Sequence, residues 1–146
     1  MCQAHLVLLN KYYIQTHFFL GQSLPVINEI FHFTYVLNSG AAFGILENQT
    51  DFFVAVAFLV VAASGYFFWR AAREHRLLRF GISLISAGAV GNLIDRVRTG
   101  LVVDFLDFRV WPVFNVADMA IVCGVGLVIF ILLFCQQGAS LKEERQ

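Results

Sequence analysis

The sequence predicts an all-α membrane protein: four spanning helices, the first of them short or truncated, with a small extramembrane β-sheet. Three observations predict it. Of the 146 residues, 59% are hydrophobic and mean hydropathy is +0.73, against about 45–50% apolar residues in soluble chains. Apolar runs fill residues 52–69, 77–94 and 113–134, each close to the roughly 20 residues that a helix needs to cross a bilayer. Residues 31–37, Phe-His-Phe-Thr-Tyr-Val-Leu, instead alternate apolar and polar positions, the period of a strand. By length the chain is one integral-membrane domain over residues 1–146.

The first span, about residues 4–20, is the weakest. Residues 6–9 are apolar, but His5, Asn10, Lys11, Gln15 and His17 interrupt the run. No basic head with a clean apolar core is seen, so a cleavable leader is not expected. Residues 21–28 read as a polar exit, with Pro25 breaking any helix. The strand pattern at 31–37 follows, then a turn at Asn38-Ser39-Gly40 and a short apolar stretch to Leu46. The run at 52–69 is the second span, and Trp69 suits its interface.

Arg70, Arg73, Arg76 and Arg79 follow within ten residues, which makes this short loop cytoplasmic by the positive-inside rule. The third span, 77–94, then runs outward. Along it Ser83, Ala87 and Gly91 recur every four residues, small side chains that let helices pack closely in lipid. Asp95 continues that stripe and should face protein, with Asn92 on the same face. Residues 96–111 form an outer loop with a turn at Gly100 and a short extended piece at 101–103. Trp111-Pro112 sits at the start of the fourth span. The polar tail, 136–146, reads as disordered.

Four of the ten carboxylates, Asp95, Asp104, Asp107 and Asp118, fall between residues 92 and 118, beside membrane-type runs. An ionised carboxylate in hydrocarbon is costly unless paired or put to use, so this segment is the candidate site. Two carboxylates a few ångströms apart hold one proton between them. One then activates water while the other protonates a leaving nitrogen. Spacing alone leaves six pairings open. Asn92 and Asn115 are placed to donate amide hydrogen bonds there. Asp95 is expected to pair with neighbouring Arg96 and tie the outer loop down, and Asp107 to be a solvated loop charge. Cys2, Cys123 and Cys135 are expected as small buried hydrophobes. His5, His17, His32 and His75 make no ligand spacing; no metal and no cofactor are expected. Zero net charge argues against a nucleic-acid partner.

The wording of the segment is specific. Gly91-Asn92-Leu93-Ile94-Asp95-Arg96, Val102-Val103-Asp104-Phe105 and Phe114-Asn115-Val116-Ala117-Asp118, preceded by Asn38-Ser39-Gly40-Ala41-Ala42-Phe43, resemble in order the blocks of the lipoprotein signal peptidases (signal peptidase II), bacterial membrane aspartyl proteases. The resemblance covers about residues 20–134. It implies that Asp104 and Asp118 are the catalytic pair, with Asn38, Gly40, Asn92, Asp95, Arg96, Asn115 and Lys11 supporting. It also implies a substrate, a prolipoprotein whose Cys carries diacylglycerol and is cut on the N-terminal side of that Cys. It implies a multi-pass protein of the bacterial inner membrane, with its site near the outer face, in contact with membrane lipid and monomeric. One block departs. The first helix of these enzymes carries Asp-Gln-x-x-Lys; aligning on Lys11 puts Val7 and Leu8 where the Asp and Gln belong. A mis-set start, a frameshift or a diverged enzyme would each leave that trace, and a helix so shortened should brace its neighbours poorly.

Two other readings compete. An inactive relative that has lost the first-helix motif would keep the fold without the chemistry. A small membrane transport or scaffold protein would spread its carboxylates in depth or use them only to join helices; here they gather on one face and no internal repeat is seen.

Overall fold

A computed structural model describes residues 2–40, 46–71, 73 and 75–135, leaving aside the side chains of Cys2 and Cys135. The tail at 136–146 and Ala41-Ala42-Phe43 of the motif that begins at Asn38 lie outside the described residues. The elements in order are α1 (Cys2–His17), β1 (Ser23–Ile27), β2 (Phe31–Asn38), α2 (Thr50–Arg70), α3 (Arg76–Thr99), β3 (Val102–Asp107) and α4 (Val116–Phe130), which runs on as a π-helical turn at Ile131–Cys135. Among the described residues three helices are long and apolar enough to cross a membrane: Thr50–Arg70, Arg76–Thr99 and Val116–Phe134. The 16-residue α1 is about 24 Å long at 1.5 Å per residue and is not one of them.

α3 is the post on which the bundle is built. Its Ser83–Ala87–Gly91–Asp95 stripe lies under α1, as the small-residue spacing predicts. Ser83 donates to the Gln3 side chain at 2.9 Å, Val7 packs on Gly91, and Lys11 meets Asp95. Residues 3, 7 and 11 meet residues 83, 91 and 95 in ascending order, so α1 and α3 run parallel. On another face α3 meets α4 almost backbone to backbone. A Cβ built on Gly88 would lie 2.3 Å from the Ala117 carbonyl oxygen, and one on Gly124 would lie 2.7 Å from that of Gly81. Only glycine permits this approach. α2 packs on a third side of α3, so α2 and α4 flank a cleft with α3 as its floor.

The three strands form one antiparallel sheet in the order β1-β2-β3. Ile14, from the last turns of α1, packs with Val103 and Phe105 of β3, so the sheet sits over the C-terminal end of α1. Two expectations change here. Residues 23–27 are an edge strand and not a polar exit; Pro25 is tolerated because an edge strand can spare a donor. The extended piece after Gly100 continues through Asp107 and pairs with β2. A third change concerns α4, which starts at Val116 and not at Trp111-Pro112, because Phe114 bridges to Leu106 first.

Candidate active site

The C-terminal end of α3 and the N-terminal end of α4, with β2 and β3, deliver the acidic segment to one place. Helix α3 ends at Gly100, whose φ of 78° stops it, so the chain turns at once into β3. That strand carries Asp104 inward, 2% exposed. Asn115 caps α4: its side-chain oxygen accepts from the backbone N–H of Ala117 at 2.7 Å and of Asp118 at 3.2 Å. The Asp118 carboxylate in turn accepts from the Asn115 backbone N–H at 3.1 Å. This reciprocal cap fixes where Asp118 points.

Two asparagines join the carboxylates. The Asn115 amide donates to Asp104 at 2.6 Å and to the Asn92 oxygen at 3.2 Å. The Asn92 amide donates to Asp118 at 2.7 Å. Asn38 of β2 donates to the other Asp104 oxygen at 2.8 Å, while its own oxygen accepts from the Gly40 N–H at 2.9 Å. Lys11 is buried and donates to both Asn92, at 2.7 Å, and Asp95, at 2.6 Å. Every residue expected at the site is joined to this one network, Arg96 through the Gly40 carbonyl.

Asp95 departs from expectation. It pairs with Lys11, 84 residues away in sequence, and not with adjacent Arg96. It does tie down the segment after α3, by accepting from the Val103 backbone N–H at 3.1 Å. Consecutive helical residues point about 100° apart, so Arg96 faces elsewhere. It reaches the Gly40 carbonyl at 3.3 Å and lies 4.7 Å over the Phe53 ring, joining the turn after β2 to α2.

Asp107 is likewise corrected. It is buried, and accepts from Thr34 at 2.7 Å and from Arg109 through the backbone N–H at 2.8 Å and the guanidinium at 3.0 Å. Burial would raise its pKa, but the bonds from Thr34 and Arg109 outweigh it and hold the carboxyl below the usual range. It clamps β2 to β3 away from the other acids. Cys123 is exposed rather than buried; it faces the cleft.

Asp104 and Asp118 both line a cavity of about 640 Å³ at one end of the cleft. Asn92 and Arg96 contribute its polar wall, Phe53 and Met119 part of the apolar one. Burial is the main reason that the Asp104 carboxyl is pushed up to about 6; the Asp118 charge adds to it, while the bonds from Asn38 and Asn115 and the Lys11 charge pull the other way. The two acids therefore sense each other across an apolar cavity, the setting in which a pair retains one proton. Among the described residues no group of three or more His, Cys, Asp or Glu gathers as a metal site would require.

The family described as Signal peptidase (SPase) II matches residues 6–134. The chain belongs to that family. A lipoprotein signal peptidase of Moorella thermoacetica is 53% identical over 129 residues, covering 86% of this chain and 83% of that one. One from Desulfitobacterium hafniense is 50% identical, covering 84% and 82%. A bacterial membrane enzyme solved by the in meso method at 2.3 Å superposes with a TM-score of 0.83 at 39% identity, covering 90% of this chain and 85% of that chain. With its apolar helices, this member of the family is a multi-pass membrane protein.

Sequence reasoning missed the partner of Asp95. The signal was present, since Lys11 is one of only two lysines and stands in an apolar run, where a buried ammonium requires a carboxylate.

Proposed function

We propose that Asp104 and Asp118 are the catalytic dyad with which this chain, a lipoprotein signal peptidase by family, removes the signal peptide of a prolipoprotein. One observation carries the reading. Two acids from different elements are held at one cavity by a shared pair of asparagines, Asn92 and Asn115. Burial, and after it the Asp118 charge, favour the protonated form of Asp104, whose carboxyl is raised to about 6. An apolar substrate that displaces water raises it further. The other carboxylate draws a proton from water, which attacks the scissile carbonyl. The protonated acid gives its proton to the leaving nitrogen.

Asn38, Asn92 and Asn115 hold the carboxylates in register, and Lys11 and Asp95 fix Asn92 and β3 from behind. Arg96 and Gly40 set the rim. The substrate is the diacylglyceryl-modified form, cut before the lipidated Cys. The cavity wall from Met119 to Cys123 on α4 is apolar, which lets the acyl chains stay in the bilayer while the peptide reaches the dyad. The whole of residues 1–146 acts as one integral-membrane domain of the bacterial inner membrane. α1 serves as a short fourth span parallel to α3, the 70–79 loop faces the cytoplasm, and the site lies near the outer face of a monomer in contact with membrane lipid. Retention of Lys11 in its pair with Asp95 favours an active enzyme over one that has lost its chemistry along with the first-helix motif.

The test is cleavage of a lipidated prolipoprotein, read as a gel shift. Asp104→Asn and Asp118→Asn should each lower it by about 10³-fold or more, with membrane abundance near that of the unaltered chain. A reporter fused after Arg76 should read cytoplasmic, and one near Gly100 external. Cleavage that survives either substitution refutes the dyad; reversed reporters refute the orientation.

A further inference from the structure

The cleft has a second cavity at its other end, about 560 Å³, walled by Phe67 of α2, Leu78, Ile82 and Ile85 of α3, and Val128 and Leu132 near the end of α4. Its size falls within the range of sites that hold small molecules. Arg70, in the last turn of α2, also lines it yet is exposed, so it stands at the mouth. Arg73, Arg76 and Arg79 follow within ten residues, with Glu74 the one acid among them. Arg79 is committed to the protein: it donates to the Ala71 carbonyl at 3.4 Å and lies 4.2 Å over the Phe68 ring. The Arg70 guanidinium has no hydrogen bond or ion pair to another described residue.

An apolar trough in a bilayer fills with hydrocarbon, because an empty one forfeits dispersion contacts. An arginine at its mouth adds a planar donor fork that matches phosphate, and basic pockets between spanning helices bind acidic headgroups. We propose that this cavity seats one acyl chain of an anionic glycerophospholipid, with its phosphate bound by Arg70. Charge selects this occupant. The basic head of a signal peptide would be repelled by the four arginines, and a zwitterionic lipid would fill the trough with less gain at Arg70. Because α2 and α4 pack on α3 and flank the cleft, the bound chain braces α2 against α4. The site is separate from the dyad at the other end of the cleft and does not depend on its role.

The experiment uses the full chain in detergent, stripped of lipid and then given phosphatidylglycerol or phosphatidylcholine, with bound lipid counted by native mass spectrometry. One phosphatidylglycerol should be retained, with a preference over phosphatidylcholine of roughly fivefold, the worth of one arginine at a lipid surface. Arg70→Gln should erase the preference, and Leu132→Trp, which fills the trough, should remove retention of either lipid. Arg73→Gln, whose side chain does not line the cavity, should keep the unaltered pattern. Equal retention of the two lipids by the unaltered chain overturns the proposal. So does an equal loss in Arg73→Gln and Arg70→Gln, which would mark diffuse attraction rather than a site. Arg70 is exposed on the last turn of α2, so its arm of the test stands even where the tryptophan variant fails to fold; prolipoprotein cleavage certifies folding in each.

Discussion

The two ends of the α2–α4 cleft, one at Asp104 and Asp118 and the other at Arg70, are built from the same three helices and treat polarity in opposite ways. At the acidic end Lys11, Asn92, Asp95, Asp104, Asn115 and Asp118, from α1, α3, β3 and the start of α4, are joined in one set of hydrogen bonds. At the Arg70 end the walls are apolar except for Ser64, and among the described residues the only charge lining the cavity is a peripheral arginine. The difference teaches that polar groups at membrane depth are stable when the set is complete, since each missing partner strands another. The acidic end is consequently brittle, and the Arg70 end is tolerant of change.

The comparison breaks most visibly at Lys11. Lys11→Met leaves the buried Asp95 unpaired and should cost about 3–5 kcal/mol, read as a fall in melting temperature in detergent. Adding Asp95→Asn to it should recover much of the loss. If the two single substitutions simply add, the pair is not a unit.

The pH dependence of Asp104 is next in size. Its carboxyl rises from 3.8 to about 6 on folding, so the protonated form favours the folded state. That contribution is whole below about pH 4 and is lost as pH rises through about 6, amounting to up to about 3 kcal/mol. Melting measured from pH 4 to 7 should show this fall in the unaltered chain and a smaller one in Asp104→Asn. Parallel curves would mean that Asp104 is not the strained member.

Helix contact gives a smaller and sharper test. Gly88→Ala drives a Cβ to 2.3 Å from the Ala117 carbonyl oxygen, and the strain should cost about 1–3 kcal/mol and lower cleavage, since Asn92 and Asp118 sit one turn away. Gly126→Ala meets nothing within 4 Å and should leave melting unchanged or raise it slightly. Equal effects would mean that α3 and α4 are not in close contact. Smallest is Thr34→Val, which removes one donor from Asp107 and should cost about 1 kcal/mol, with cleavage retained because Asp107 lies outside the hydrogen-bond network of Asp104 and Asp118.

Much of this was legible in the sequence, for definable reasons. Apolar length located α2, α3 and α4 because lipid allows little else. The Ser83–Ala87–Gly91–Asp95 spacing marked the face of α3 that meets protein. The carboxylates were countable, but pairing is a property of three dimensions. Spacing left six choices among the acids, and the resemblance of the ordered motifs selected Asp104 with Asp118. Asp95 was assigned to Arg96 because adjacency in sequence was mistaken for adjacency on a helix. Asp107 looked solvated because β1 went unseen: Pro25 in a short edge strand reads as a break, and without β1 there was no sheet of three strands to bury the Thr34–Asp107 clamp. Val7 looked like a lost polar residue; in the fold it is 2% exposed against Gly91, a packed hydrophobe in α1.

The reciprocal cap at the start of α4 has a pharmacological consequence. Asp118 gives one carboxylate oxygen to the Asn115 backbone and the other to Asn92, and Asn115 also holds Asp104. A compound that grips Asn92, Asp104 and Asp118, which line the cavity, leaves the enzyme no single substitution among them that weakens the grip and spares this network. Escape from such a compound would have to arise on the apolar side of the cavity, at Phe53, Met119, Val122 or Cys123, where side chains change without stranding a polar neighbour. Inhibitors that draw their affinity from the polar half, and little from that wall, should therefore select resistance slowly.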